Sequence, residues 1–357
     1  MISRATKPFP ARLKTELKVD PVMMLISMAL LFGGFVILAS ASITISDNTV
    51  GEPFFYVERQ LVAALIGGAA AFACLFVPMR VWQRLSPLML LTGIALLFLV
   101  LVPGVGYEVN GSTRWARFGV INLQVSEPAR LCLFIYLAGY VVRQQKALRE
   151  RFVGFLRPML VLTLSCALLL AQPDFGAVIV LLATALIILF VGGARIRDFL
   201  LFFSTAVVAM TALAMTSPYR MQRLTGFLDP WSDPYNTGFQ LTQSLIAIGR
   251  GEWFGVGLGG SVQKLFYLPE AHTDFVFAVF AEEFGLLGSL TLIGLFIALL
   301  WRIFRLALRA ASAEKYFEAY LAIGLGRVRP FVGNMPMLTP TLINACNPNH
   351  VPRPIAR

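Results

Sequence analysis

The sequence has few charged side chains, few histidines and few cysteines, and each shortage excludes a class of protein. Only 14% of its 357 residues are Asp, Glu, Lys or Arg, whereas a soluble domain would have about a quarter. The two histidines, His272 and His350, are far apart, and no CxxC pair occurs among the four cysteines. The sequence therefore indicates neither a zinc site nor a disulfide framework. Its first twenty residues are basic and polar, which indicates no cleavable signal peptide.

Long apolar runs are what the sequence has instead, and they predict an all-α, polytopic membrane helical bundle. Eight runs are long enough to cross about 30 Å of hydrocarbon. They lie at 21–44, 58–79, 86–103, 127–143, 157–173, 175–194, 198–217 and 274–302. A ninth apolar stretch starts at Phe317 and breaks off after Gly326. We expect a cytoplasmic basic tail at 1–20, a transmembrane domain at 21–326 and an atypical tail at 327–357.

The formal net charge of +11 is explained by the side of the membrane on which the basic residues lie. Eighteen of the 30 Lys and Arg fall in segments on the same side as the N-terminus, eight on the other side and four in the C-terminal tail. Because cytoplasmic loops are enriched in Lys and Arg, the count predicts a cytoplasmic N-terminus. The basic charge thus needs no nucleic acid to explain it.

Two segments on the predicted outer side are long and polar, at 104–126 and 217–273. The second is an extracytoplasmic loop of 57 residues between the seventh and eighth spans, and a loop of that length is usually functional. Within it, 238–249 is typical of a helix. Its glycine run, Gly255 to Gly260, lacks the ending of a phosphate loop, so we interpret it as a close-packed interfacial turn.

Carboxylates in and before the eighth span are candidates for chemistry. Asp274 stands where the long loop becomes an apolar helix, where a carboxylate is costly unless it contacts protein, water or a partner. It could be a general base at the mouth of a cavity or the N-cap of that helix, and its position leaves both open. Glu282 and Glu283 lie inside the span, and the favoured interpretation is an ion pair with an arginine such as Arg130.

Polar residues of two other outer turns have structural alternatives. Asp174 lies in a tight turn, which it is expected to stabilise. Arg114 could bind an anionic headgroup together with Trp115. Anchoring at the membrane interface explains Trp115 equally well.

Eight motifs, in order along the chain, carry a family resemblance. They are Asn110-Gly-Ser-Thr-Arg-Trp115, Ser126-Glu-Pro-Ala-Arg130, Gln172-Pro-Asp-Phe-Gly176, Arg223-Leu-Thr-Gly-Phe-Leu-Asp-Pro-Trp231, Gly238-Phe-Gln-Leu-Thr-Gln-Ser244, Gly255-Val-Gly-Leu-Gly-Gly-Ser261, Leu268-Pro-Glu-Ala-His-Thr-Asp-Phe275 and Ala281-Glu-Glu-Phe-Gly285. Together they closely resemble the SEDS family (shape, elongation, division and sporulation proteins), and its division branch most of all. The resemblance covers residues from about 15 to 326.

This resemblance implies a peptidoglycan glycosyltransferase. Such an enzyme polymerises lipid II, a disaccharide-peptide on undecaprenyl pyrophosphate, at the outer face of the bacterial cytoplasmic (inner) membrane, here at the division septum. The implied partners are a class B penicillin-binding protein transpeptidase and other divisome membrane proteins. The alternatives are a lipid II flippase and a non-catalytic divisome scaffold. A flippase needs a polar path through the membrane, whereas the ionisable residues here cluster at the outer ends of the spans.

The family's essential aspartate falls on Asp274, which implies that this carboxylate deprotonates the attacking sugar hydroxyl. The pyrophosphate leaving group needs cationic help, which could come from Arg220, Arg223, Lys264 or a divalent cation such as Mg²⁺ or Mn²⁺. No other cofactor and no protein-only metal site are expected. The predicted substrate-binding residues are Arg114, Trp115, Glu127, Arg220, Arg223, Gln240, Ser244, Lys264, Glu270 and His272.

The resemblance fails at the end of the chain. Family members have ten spans, but the ninth is incomplete here, and residues 327–357 hold six prolines, four arginines and no run able to cross a bilayer. We therefore expect a truncated or frame-shifted product. Part of the expected cavity wall would then be missing, which could leave this particular chain inactive.

Overall fold

The computed structural model describes residues 19–109, 112–118, 121–216, 221, 226–236, 238–265 and 267–328. Its helices are α1 (Pro21–Val50), α2 (Phe55–Leu75), α3 (Met79–Leu99), α4 (Ser126–Arg143), α5 (Gln145–Glu150), α6 (Phe152–Ala171), α7 (Phe175–Val191), α8 (Ile196–Met215), α9 (Phe239–Arg250), α10 (Val276–Ser312) and α11 (Tyr316–Val328). Its strands are β1 (Gly106–Val109), β2 (Ser112–Phe118) and β3 (Ile121–Gln124). Of the predicted C-terminal tail, residues 327 and 328 belong to the end of α11, and the rest lies outside the described residues.

Six of the described helices are long and apolar enough to cross a membrane, namely α1, α2, α3, α6, α8 and α10. The other two predicted spans also fall on helices. However, α7 has 17 residues, and α4, with 18, includes the charged residues Glu127, Arg130 and Arg143. The prediction of a mostly helical membrane protein is confirmed, while a count of eight full spans stays a prediction.

A small β-sheet makes the all-α prediction wrong in one segment. The strands β1, β2 and β3 form an antiparallel sheet in that order, and Ala116 of β2 pairs with Gly106 on one side and Leu123 on the other. Buried Ala116 packs with Val100 at the end of α3. The sequence carried a signal for this hairpin, because Asn110-Gly111 separates β1 from β2 and Asn-Gly favours a two-residue hairpin turn.

The centre of the bundle is α4, which is buried along most of its length from Ala129 to Val141. Two glycines let α3 approach it closely. A Cβ added at Gly139 would lie 2.2 Å from the Oγ of Ser86, and one added at Gly93 would lie 3.2 Å from the backbone oxygen of Ala129. Small residues at such crossings are typical of membrane bundles, where close packing replaces the hydrophobic effect.

A break divides α10 into two parts at Gly285, whose backbone has φ 66° and ψ −164°. We call residues 276–284 the short half and residues 286–312 the long half. Four hydrogen bonds with residues 252–257 satisfy the backbone groups that the break leaves free. They are Val256 N–H to Glu282 O (3.0 Å), Gly257 N–H to Glu283 O (3.1 Å), Leu286 N–H to Glu252 O (2.8 Å) and Leu287 N–H to Trp253 O (3.2 Å). A broken helix is tolerated at membrane depth only with such partners.

The first helix is joined to the long half of α10 near its own start. Asp20 caps α1 by accepting a hydrogen bond from the backbone N–H of Met23 (2.9 Å). The other carboxylate oxygen of Asp20 forms an ion pair with Arg302 Nη2 at 2.7 Å. One carboxylate therefore both starts α1 and positions it against α10.

Candidate functional site

Asp274 is exposed and lies two residues before the start of α10. The N-cap of this helix is Phe275, and no side chain makes a capping hydrogen bond there. The alternative that Asp274 caps the helix is therefore wrong. Among the residues that the structure describes, its carboxylate forms no hydrogen bond and no ion pair, so it is available to a substrate.

The turn before Asp274 is shaped by Glu270. The backbone of Glu270 has a φ of 55°, and its carbonyl oxygen accepts from Thr273 N–H (3.1 Å) and Phe275 N–H (3.2 Å). Its carboxylate also accepts from the hydroxyl of Thr273 at 2.7 Å. Leu268 and Ala271 are fully buried and anchor this turn in the protein. The hydrogen bonds and the buried side chains thus fix the turn, which leaves Asp274 exposed.

His272 is half-buried beside Tyr56, with 4.8 Å between the two ring centroids. Burial lowers the pKa of His272 below its usual value of 6.5, although the neighbouring Glu270 acts in the opposite direction. The imidazole is consequently neutral at pH 7. It can offer a hydrogen bond to a sugar, but it supplies no positive charge to a pyrophosphate.

A buried polar cluster, formed by Glu283, Lys264 and Ser40, lies behind this turn. The Nζ of Lys264 is 2.8 Å from Oε1 of Glu283 and donates to the Oγ of Ser40 at 2.9 Å. Ser40 in turn is 2.6 Å and 2.9 Å from the two carboxylate oxygens of Glu283. Glu283 is 1% exposed and Lys264 is 6% exposed. Each charge is therefore neutralised inside the protein.

The expectation of structural ion pairs is confirmed for both carboxylates, since Glu283 pairs with Lys264 and Glu282 with Arg250, but naming Arg130 as the partner was wrong. Arg130 pairs instead with Glu127, three residues before it on α4, because both side chains lie on the same helix face. Since the ammonium of Lys264 is already paired, its contact with a pyrophosphate stays a prediction. The role of Ser40 was not predicted from the sequence. Its only sequence signal is a serine in the small-residue stretch of α1, from Ala39 to Ser42.

Glu282 organises the loop that precedes the turn. Its carboxylate accepts from the hydroxyl of Ser261 and from the backbone N–H groups of Val262 (3.1 Å) and Gln263 (3.3 Å). Arg250, at the end of α9, contacts it from the exposed side at 3.6 Å. The adjacent carboxylates of the short half thus have different partners: Glu282 binds the loop at residues 261–263, and Glu283 connects Lys264 of that loop to Ser40 of α1.

Asp174 stabilises its turn, as expected. Its Oδ1 accepts from the backbone N–H of Ala177 at 3.1 Å and so caps α7. The same oxygen lies 3.8 Å from Nη1 of Arg114, on β2. Arg114 and Trp115 are half-buried. The cap therefore also holds the small sheet against the bundle.

We predict that Asp174→Ala lowers the free energy of unfolding by about 1–2 kcal/mol, because it removes the cap of α7. Asp174→Asn should cost much less, since asparagine caps helices about as well as aspartate. Denaturation of the purified protein in mixed detergent micelles would measure both. Equal losses in the two variants would contradict a capping role and point to the charge of Asp174.

The remaining predicted substrate-binding residues are scattered. Gln240 and Ser244 lie one turn apart on α9, so the predicted helix there is confirmed. Gln240 is exposed, whereas Ser244 is buried and donates its hydroxyl to the carbonyl of Leu241 at 2.7 Å. Arg220 and Arg223 lie outside the described residues. Whether these four side chains bind substrate stays a prediction.

A cleft of about 480 Å³ runs along α9 and both halves of α10, and sequence reasoning missed it. Its lining is mostly apolar and includes Trp253, Phe277 and Leu286, together with the charged residue Glu252. Phe277 is three residues after Asp274 in the chain, so part of the cleft wall belongs to the helix that follows the exposed carboxylate. The break in α10 forms part of its wall, which hydropathy alone could not indicate.

The proposed divalent cation has no ready-made site in the described part of the chain. No group of three His, Cys, Asp or Glu side chains comes together there to hold a metal ion. The involvement of a divalent cation stays a prediction.

Comparison with known proteins identifies the relatives of this chain. A family model named for FtsW, RodA and SpoVE, and described as "Cell cycle protein", matches residues 21–331. The chain is 52% identical over 325 residues to the "Probable peptidoglycan glycosyltransferase FtsW" of Thioalkalivibrio sulfidiphilus, covering 90% of this chain and 81% of that protein. It is 53% identical over 300 residues to the protein of the same name from Nitrosococcus halophilus, covering 84% and 77%.

Solved structures give the same result. A chain of a peptidoglycan synthase complex, in a study of how polymerization and crosslinking are structurally coordinated, superposes with a TM-score of 0.68 at 30% identity. The superposition covers 90% of this chain and 88% of that one. The rod shape determining protein RodA of Thermus thermophilus superposes with a TM-score of 0.63 at 27% identity, covering 93% and 94%.

Proposed function

The chain belongs to the FtsW/RodA/SpoVE family of cell cycle proteins, and from this premise we propose that it is a peptidoglycan glycosyltransferase that polymerises lipid II into glycan strands. Curated relatives at about half identity carry the name of that activity. We place the reaction at the outer face of the cytoplasmic membrane of a bacterium, at the division septum, with the N-terminus in the cytoplasm. The distribution of Lys and Arg between the two sides supports this orientation.

The observation that carries the proposal is the exposed carboxylate of Asp274, which neither caps α10 nor pairs with a described residue. In the proposed reaction it accepts the proton of the attacking sugar hydroxyl. A bond then forms between that oxygen and the anomeric carbon of the lipid-linked donor. The bond from this carbon to the pyrophosphate oxygen breaks, and undecaprenyl pyrophosphate leaves.

The N-terminus of α10 can stabilise the negative charge of the departing pyrophosphate. A helix N-terminus carries partial positive charge and free backbone N–H groups, and no side chain caps this one. Anions bind readily at such a place. Arg220, Arg223 and a divalent cation are the further proposed sources of positive charge, and Lys264 is a source only if its pair with Glu283 opens.

The apolar cleft along the helix that follows Asp274 supports binding of the lipid part of the substrate. A polyprenyl chain needs a hydrophobic surface that continues into the membrane, and Trp253, Phe277 and Leu286 line such a surface. The sugar attached through pyrophosphate would then lie near the start of α10. The cleft thereby orients the reacting carbon toward Asp274.

A class B penicillin-binding protein transpeptidase is the proposed partner, together with other divisome membrane proteins. The solved neighbour from a synthase complex that coordinates polymerization with crosslinking supports it. The mostly exposed helices α2 and α8 leave room for a second membrane protein as well as for lipid. The product strand would then emerge where a crosslinking domain can reach it.

Lipid II polymerisation in liposomes with the cognate transpeptidase tests the proposal. Asp274→Asn should reduce glycan synthesis by about 100-fold or more, the size expected from losing a general base. Its thermal unfolding should stay unchanged, because the side chain is exposed. Asp47→Asn is the matched control, since it removes another exposed carboxylate on the predicted outer side, at the far end of α1, and should retain activity.

Three outcomes would count against the proposal. Full activity in Asp274→Asn would remove its catalytic role and favour a flippase or a scaffold. Equal loss in Asp47→Asn would point to a general effect of charge on the protein surface. No polymer from the unmodified chain, under conditions in which a family member is active, would show that this chain is not a working enzyme.

A further inference from the structure

A basic cleft lies at the other end of the bundle, where α1 and α3 begin and α4 ends. It has a volume of about 420 Å³ and is lined by Arg80, Gln83, Arg84, Pro87 and Arg143. Three of its five lining residues are arginines, and none is acidic. A topological preference for basic loops requires Lys and Arg near this end, but it does not require that they converge on one concave surface.

In the described part of the chain, no carboxylate balances the charges of this cleft. Among the residues that the structure describes, Arg80, Arg84 and Arg143 form no ion pair with a carboxylate. Like charges held close together repel one another, and an arginine cannot lose its proton to relieve the repulsion. The cleft is therefore a place where an anion would be stabilised.

The N-terminus of α3 adds further positive charge to the cleft. Arg80 is the second residue of this helix and Arg84 lies in its second turn; the first turn contains no acidic residue, and no side chain caps it. Basic residues at a helix N-terminus oppose the helix dipole and destabilise the helix. A bound anion would reverse that penalty, because it would interact favourably with the helix terminus and with both guanidinium groups.

Packing between α3 and α4 holds the third arginine in place. Arg143 Nη1 donates to the Oγ of Ser86, which is fully buried. Gly139 makes this approach possible, since a Cβ there would lie 2.2 Å from the same Oγ and 2.9 Å from Nη1 of Arg143. The guanidinium is thus pre-positioned by the helix crossing, and an anion that binds here does not have to order it.

Apolar side chains beside the cleft identify the kind of anion. Val81, Leu85 and Leu88 follow one another on one face of α3 next to Arg84, and they are 37%, 38% and 52% exposed. A soluble anion would gain nothing from this strip, whereas an acyl chain would cover it. We propose that the cleft binds the phosphate headgroup of an anionic phospholipid, whose acyl chains lie along this face of α3.

Native mass spectrometry of the full chain in detergent would test this, with cardiolipin, phosphatidylglycerol and phosphatidylethanolamine as probes. We expect cardiolipin to bind more tightly than phosphatidylethanolamine, because it carries two phosphates. The Arg80→Gln/Arg84→Gln double variant should weaken cardiolipin binding about 30-fold, given the contribution of each basic residue near a charged lipid. This variant leaves the contact between Arg143 and Ser86 intact.

Two matched variants make the result specific. Arg309→Gln removes an exposed arginine near the end of α10, at the same end of the bundle but outside the cleft, and should bind cardiolipin as the unmodified chain does. Arg80→Lys/Arg84→Lys keeps the charge and should recover most of the binding. Unchanged binding in the double Gln variant, or an equal loss in Arg309→Gln, would overturn the proposal. So would complete displacement of cardiolipin by millimolar inorganic phosphate, since the site would then select free phosphate.

Discussion

Gly255→Ala is expected to abolish glycan synthesis and to lower the thermal unfolding temperature on the order of 10 °C. A Cβ at this position would lie 2.1 Å from the backbone oxygen of Glu283 and 2.4 Å from its carbonyl carbon. Both atoms belong to the break in α10, so neither can move without displacing the short half that follows Asp274. The expected cost combines overpacking of about 1–3 kcal/mol with about 1–2 kcal/mol for a positive φ.

The matched control is Gly259→Ala in the same loop. Gly255 has a φ of +82° and Gly259 a φ of +83°, but a Cβ at Gly259 would meet nothing within 4 Å. Both substitutions therefore impose the same backbone strain, and only one imposes a clash. Glycan synthesis should be nearly normal in Gly259→Ala, and its stability should fall only by the part due to the positive φ, about 1–2 kcal/mol. If the two variants lost activity equally, backbone strain rather than close packing against the break would explain the effect.

Glu283→Gln is the second substitution with a large expected effect, and it should destabilise the protein by about 3–5 kcal/mol. Lys264 is 6% exposed, so removing the charge of its partner leaves a buried ammonium without compensation. The hydroxyl of Ser40 cannot replace a carboxylate. The free energy of unfolding, measured by denaturation in mixed micelles, should fall by this amount. Glycan synthesis should fall with it, since Glu283 lies in the short half.

A double-mutant cycle separates the pair from the individual side chains. Lys264→Met alone should also destabilise the protein, because it leaves Glu283 buried and unpaired. The combination Glu283→Gln/Lys264→Met should cost less than the sum of the single variants, with a coupling free energy of about 1–3 kcal/mol. Strict additivity would mean that the two charges do not stabilise each other and that the buried cluster is not a structural unit.

Hydropathy predicted the helices of the bundle well, because a bilayer requires long apolar stretches. It failed at the segment after α3, because the short strands β1 and β2 contain no long apolar run and their signal is the Asn110-Gly111 between them. It also gave 274–302 as one continuous span. Gly285 breaks that span, and its position follows from contacts with a loop thirty residues earlier in the chain, which no local pattern contains.

In the candidate site, too, some features could be predicted from the sequence and others could not. Asp274 could be found from the sequence because its position next to an apolar helix is unusual and because a family motif contains it. The partner of Glu283 could not be found, since Lys264 and Ser40 come from an irregular loop and from the distant α1. Pairing with Arg130 was plausible by charge, but Glu127 stands one helical turn away from that arginine and binds it first.

The contacts of α1 have a mechanical consequence for the broken helix. Through Ser40 this helix holds Glu283, before the break, and through Asp20 it holds Arg302, after the break. The two contacts are twenty residues apart along α1, about 30 Å at the rise of an α-helix. The unbroken helix α1 therefore contacts both halves of the broken helix α10, at points separated by nearly the thickness of the membrane. A change of angle at Gly285 would have to tilt α1 or release one of these contacts. As long as both contacts hold, movement at the outer turn is coupled to movement of the N-terminal end of α1.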